Sequence, residues 1–160
     1  MSKSNFVYVV YIRTTLEKAW QALVQGDVTR QYWGNENVSD WKVGSGWEHR
    51  GEKGTGPALI VGEVVEVSPP QRLVLTWAYP QDKANRAMHS RVTFDLAPIE
   101  DMIKLTVVHD QLDEASDMQK SITEGWPRVL SSMKSFLETG QALDVWAGHP
   151  HHTEKMKANR

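Results

Sequence analysis

Residues 113–140 read DEASDMQKSITEGWPRVLSSMKSFLETG. Apolar side chains recur in this stretch at Met118, Ile122, Trp126, Val129, Leu130, Met133, Phe136 and Leu137. That is the spacing of one helix face. At ~1.5 Å per residue, such a helix would be roughly 40 Å long, enough to cross a small domain. Its apolar stripe needs a partner, and the residues before it read as strands, so the only large partner is a sheet. Strands wrapped around one long helix tend to leave a space between the two layers. The architecture therefore points to a container. Pro127 falls within the helical pattern beside Gly125, which predicts a kink or a helix start near that point.

Working back from the helix, Phe6 to Ile12 is a β-branched and aromatic run that predicts a first strand. Thr14 and Glu17 are spaced as a capping box. Leu16, Ala19, Trp20, Leu23 and Val24 then give a short helix ending near Gly26, and Asp27 is placed to cap a second from Val28 to Trp33. Trp41 to Gly51 reads as strand, interrupted at Gly44 and Gly46. Gly51 to Pro57 reads as a hairpin tip; it lacks the spacing of a phosphate-binding loop. Further strands are predicted at Ala58–Ser68, Gln71–Tyr79, Arg86–Leu96 and Met102–Asp110, with Pro69-Pro70 as a turn.

Alternation places Leu73, Leu75, Trp77 and Tyr79 on the covered face. It adds Met88, Val92, Phe94 and Leu96 from the next strand, and Ile103, Leu105 and Val107 from the last. In Ala58–Ser68 either parity carries a glutamate, Glu63 or Glu66, a conflict that a bulge near Gly62 would resolve. Elements in this order predict an α+β domain over residues 1–143, with a flexible tail over 144–160.

Composition narrows the function classes. The chain has 160 residues, 18 basic and 20 acidic side chains, and a net charge of −2. With no basic cluster, nucleic acid is not an expected partner. The absence of cysteine excludes disulfides and thiol catalysis. Apolar runs are strand-sized, so no signal peptide or membrane span is expected and the cytoplasm is the default location. Seven tryptophans, at positions 20, 33, 41, 47, 77, 126 and 146, exceed what one small core commonly uses. They serve either as packing area or as walls of a pocket for an apolar ligand.

Three segments carry a family resemblance. Ile12-Arg13-Thr14-Thr15-Leu16-Glu17-Lys18-Ala19-Trp20-Gln21-Ala22-Leu23 resembles the opening of the START/Bet v1-like (SRPBCC) superfamily, whose helix-grip fold has this element order. Gly62-Glu63-Val64-Val65-Glu66-Val67-Ser68-Pro69-Pro70-Gln71-Arg72-Leu73-Val74-Leu75-Thr76-Trp77 resembles the central hairpin of its branch named after the activator of Hsp90 ATPase. Gly125-Trp126-Pro127-Arg128-Val129-Leu130 is similar to the start of that branch's closing helix. The resemblance covers Val7 to Leu143. It implies a curved antiparallel sheet around the C-terminal helix and a hydrophobic cavity between them. The wider superfamily binds lipids, sterols and plant metabolites and includes aromatases and cyclases. Co-chaperone members carry a separate N-terminal domain, whereas this chain starts at its first strand. A chaperone partner is therefore not expected.

The ligand-binding candidates are Tyr32, Trp33, Trp47, Trp77, Tyr79, Met88, Trp126 and Met133, since flat rings and adaptable thioethers suit loosely defined apolar guests. His49 and His109 share parity with inward residues and are the candidates for a general base. For each, the alternative is a strand-end histidine meeting water. His89 and Arg91 are expected outward. His149, His151 and His152 lie in the tail. No metal site and no cofactor are expected, and Ser45 lacks the frame of a nucleophile elbow. The leading reading is a non-enzymatic protein that binds a small hydrophobic molecule. The alternatives are a cyclase, dehydratase or hydrolase using the same pocket, and an interaction module acting as a chaperone partner or a homodimer.

Overall fold

A computed structural model of the chain describes residues 2–148. The strands are β1 (Lys3–Ile12), β2 (Glu36–Val38), β3 (Gly46–Arg50), β4 (Ala58–Ser68), β5 (Arg72–Trp77), β6 (Ser90–Ile99) and β7 (Met102–Asp113). They pair antiparallel in one sheet of order β1-β7-β6-β5-β4-β3-β2. Helices α1 (Leu16–Val24) and α2 (Gly26–Trp33) connect β1 to β2, and α3 (Asp117–Thr139) closes the fold. This is the α+β helix-grip arrangement. Among the described residues, no helix is long and apolar enough to cross a membrane.

The alternation pattern finds its physical meaning in the core. Leu73, Leu75 and Trp77 of β5, Val92, Phe94 and Leu96 of β6, and Ile103, Leu105 and Val107 of β7 are all buried with Ile122, Trp126, Val129, Leu130 and Met133 of α3. Burying a side chain of this size is worth about 1.5–3 kcal/mol, so the concave face and the helix stripe stabilise each other. Pro127 neither starts nor ends the helix; α3 runs through it from its Ser116 cap to the left-handed Gly140.

Element ends differ from expectation for local reasons. Thr15, not Thr14, caps α1, because Thr15 holds the extended backbone from which its hydroxyl accepts the Lys18 N–H at 3.2 Å. Helix α2 begins at Gly26, so Asp27 sits inside the first turn rather than capping it. The strand predicted from Trp41 is only Gly46–Arg50, since Trp41 and Gly44 have positive φ and form a turn. Residues 36–38, read as a connection, form β2 and pair Asn37 with His49. Strand β6 begins at Ser90, because Arg86–Met88 is a single 3₁₀ turn. In the other direction, β7 continues to Asp113, held by the Lys3 ammonium at 2.7 Å, and α3 starts four residues later.

Strand β4 resolves its glutamate conflict by a bulge, but not at Gly62. Val64 pairs with Leu75 and Glu66 with Val74, so Val65 is the extra residue. The slip of one residue reverses the parity. Val64 and Val67 pair with buried Leu75 and Leu73, while Glu63 and Glu66 reach Arg86 and Arg72. Gly62 has a different task. The Trp47 indole crosses it to donate to the Thr76 carbonyl at 2.8 Å, and a Cβ on Gly62 would lie 1.9 Å from that oxygen. Gly62→Ala is therefore expected to destabilise the protein by about 3 kcal/mol or more through overpacking and loss of the bond. Urea unfolding checks this, and a loss of less than about 1 kcal/mol would show that Trp47 can move aside at little cost.

Candidate functional site

Between the sheet and the first half of α3 lies a cavity of about 450 Å³. Trp33 of α2, His49 of β3, Ile60 of β4, Trp77 of β5, and Ile122, Trp126 and Val129 of α3 line it, with Tyr79, Ser121, Glu124 and Arg128 also on its lining. Trp33, His49, Trp77, Tyr79, Trp126 and Trp146 contribute rings to the wall. Trp33 lies 5.5 Å from Trp126 and 6.4 Å from Trp77 between centroids, and Trp77 lies 5.4 Å from Trp126. The His49 ring sits 4.4 Å from Trp33.

Each histidine beside the cavity is oriented by neighbours. Asn37 donates its Nδ2–H to the Leu23 carbonyl at 3.0 Å, which leaves its Oδ1 to accept from His49 Nδ1 at 2.8 Å. His109 is held on both sides. The Trp126 indole donates to His109 Nδ1 at 3.1 Å. An indole nitrogen only donates, so Nδ1 carries the lone pair and Nε2 the proton. His109 Nε2 then donates to Ser90 Oγ at 2.7 Å, and Ser90 Oγ donates to the Trp77 carbonyl at 3.2 Å. The relay joins α3 to β7, β6 and β5. Burial pushes the His109 imidazole down to about 4.

Residues beyond the long helix also shape the site. The segment 141–148 turns back along α3. There Ser132 exchanges hydrogen bonds with Leu143, and the Arg128 guanidinium donates to the carbonyls of Val145 and Ala147, both at 3.0 Å. Val145 is buried and Trp146 lines the cavity. Residues 144–148 were expected in a flexible tail; these contacts place them against the site instead. His149, His151 and His152 lie outside the described residues. Among those described, no cluster of three or more metal-ligating side chains occurs.

The sequence profile of the family described as activator of Hsp90 ATPase homolog 1-like protein matches residues 13–138. The chain belongs to that family. Solved structures of similar fold include the Aha1 dimer from Colwellia psychrerythraea, at 23% identity and a TM-score of 0.71, covering 87% of this chain and 99% of that one. An HSP90 activator from Plasmodium falciparum is 21% identical with a TM-score of 0.69, covering 83% and 95%. CalU16 from Micromonospora echinospora is 18% identical with a TM-score of 0.67, covering 85% and 77%. No curated protein matches.

Within this member of the activator of Hsp90 ATPase homolog 1-like family, the ligand candidates divide. Trp33, Trp77, Tyr79 and Trp126 line the cavity. Tyr32 is buried with its hydroxyl on the Ala22 carbonyl, Trp47 is committed to Thr76, and Met133 is fully buried; none of these three is on the cavity wall. Met88 is exposed and belongs to a separate depression with Met118 and Tyr79. Asn35, Ile60, Gly125 and Trp146 also line the cavity, although none was a ligand-binding candidate. Ile122 and Val129 were legible only as part of the helix stripe.

Both ring nitrogens of His109 are bonded inside the relay, and the residue is fully buried rather than meeting water at a strand end. Its effect on stability has a definite sign. Above pH 6.5 the imidazole is neutral in both folded and unfolded chains. Below that, the unfolded chain takes up a proton that the folded one refuses until about pH 4. Stability should fall by up to about 3 kcal/mol as pH drops through this window. His109→Gln preserves an acceptor and a donor without titrating. Its urea-unfolding free energy should approach or overtake that of the parent as pH falls from 7 to 4; parallel pH profiles would refute the assignment.

Proposed function

We propose that the protein binds a small hydrophobic molecule in the cavity between the sheet and α3. The observation that carries this reading is the wall itself: about 450 Å³ of space bounded by Trp33, Trp77, Trp126, Ile60, Ile122 and Val129. That volume is within the range of small-molecule sites, which are largely apolar with few polar groups. Rigid indoles packed against one another cannot collapse into the space as flexible side chains would, so the cavity is suited to a guest. A binding role also fits the commitment of both His109 ring nitrogens to the relay.

Gly125 offers a clean test. It lies within α3 on the cavity wall, and a Cβ added there meets nothing within 4 Å. Gly125→Phe should project a ring into the space while removing a helix-interior glycine, which favours the helix by about 0.3–0.5 kcal/mol. The neutral fluorophore 6-propionyl-2-dimethylaminonaphthalene should bind the parent protein with a blue-shifted emission. The variant should bind it at least about tenfold more weakly, with an undiminished melting temperature. Equal binding to both proteins, or none to the parent, would sink the reading. Native mass spectrometry of the purified protein would add the class of any molecule carried along.

A second reading, self-association, is favoured by one specific feature. β1 is an edge strand, and its outward Val7, Val9 and Tyr11 are 58%, 41% and 45% exposed. Unpaired edge groups beside an apolar row can take up another strand, and the Colwellia psychrerythraea relative is described as a dimer. Light scattering after size exclusion should then give twice the chain mass, and Val9→Lys should return it to one; a parent protein of single mass excludes this reading.

A further inference from the structure

Two asparagines, two residues apart, are buried to the same 7% exposure and have opposite fates. Asn37 is used up: its amide donates to Leu23, its oxygen accepts from His49, and its backbone N–H donates to the Thr29 hydroxyl at 3.0 Å. Asn35 lines the cavity, and its carboxamide makes no hydrogen bond with any described residue. Its place is set by Gly34, whose left-handed φ of 94° ends α2 and turns the chain inward. Its amide atoms are not sealed off, so they stay accessible from the space they border. The Trp77 indole N–H lacks an acceptor but is sealed inside the ring cluster. Of the polar residues on the lining, Ser121, Glu124 and Arg128 are exposed and His49 is bonded to Asn37, which leaves Asn35 as the buried carboxamide on the wall.

A carboxamide presents one acceptor oxygen and a two-proton donor nitrogen. Its complement is a head group with a carbonyl beside an N–H or O–H, such as an amide, a lactam or an un-ionised acid. Asn35 is neutral, so it offers little to offset the desolvation of an ionised head. The rest of the buried wall is chiefly rings and branched aliphatics, suited to a flat apolar body, while Ser121, Glu124 and Arg128 are exposed. We propose that the cavity takes a flat hydrophobic molecule bearing a neutral amide-like head, and that Asn35 is the residue that recognises the head. This rests on the binding reading above.

The test uses two probes of one shape, 2-naphthamide and 2-isopropenylnaphthalene, titrated against the intact protein by tryptophan fluorescence and calorimetry. The parent should prefer the amide by about tenfold, the worth of one or two buried hydrogen bonds. Asn35→Leu should erase that preference, bind the hydrocarbon at least as well, and melt no lower than the parent. Equal binding of the two probes to the parent, or a preference that survives in Asn35→Leu, overturns the role of Asn35 and leaves the cavity reading standing. A clear drop in melting temperature for Asn35→Leu would mean that the amide has a structural task, and overturns it too. If neither probe binds the parent, the cavity reading fails and takes this proposal with it.

Discussion

The hydrogen bond from the Trp126 indole to His109 Nδ1, at 3.1 Å, ties the middle of the closing helix to β7, the strand beside the edge strand β1. It needs a neutral imidazole. With both ring nitrogens protonated, two donors would face each other at that contact, so burial and bonding both hold His109 in its uncharged form. The tie also sets where the two layers touch. C-terminal to it, Leu130 and Met133 are sealed in the core. Around and N-terminal to it, the stretch of α3 from Met118 to Val129 lines the cavity. One polar contact thus stands at the boundary between packed core and container.

The tryptophans act as a scaffold around that boundary. Trp33, Trp47, Trp77 and Trp126 form a continuous group with neighbouring centroids 5.2–6.4 Å apart. Trp47 is locked by its bond to Thr76 across a glycine, and Trp126 by its bond to His109. Rings fixed in this way gain stacking and burial energy. They also cannot rearrange to fill a neighbouring void, which connects the unusual tryptophan content to the presence of a cavity.

Much of the fold was legible because burial on a strand has period two and on a helix about three and a half. The inward sets on β5, β6 and β7 and the apolar stripe of α3 follow from those periods alone. Ends of elements were less legible. Thr14 and Thr15 carry the same hydroxyl, and only backbone geometry decides which one caps α1. β2 is three residues of polar character, visible as a strand only once β3 is beside it. The bulge at Val65 is a property of the β4–β5 pair, and no signal within β4 distinguishes it from a bulge at Gly62.

The amino-acid sequence by itself determined the order of elements, the face each one buries, and the family to which the chain belongs, because these depend on local spacing and short contiguous motifs. It also showed seven tryptophans in one small domain, while leaving open whether they pack the core or wall a pocket. Only the tertiary structure decided which rings bound the cavity and which are plain core, that His109 is bonded to Trp126 and Ser90, and that Asn35 lines the space while Asn37 does not. Parity along a strand states the direction in which a side chain points. It does not state how far away the opposite wall stands or which distant carbonyl waits there, and a cavity is made of those distances.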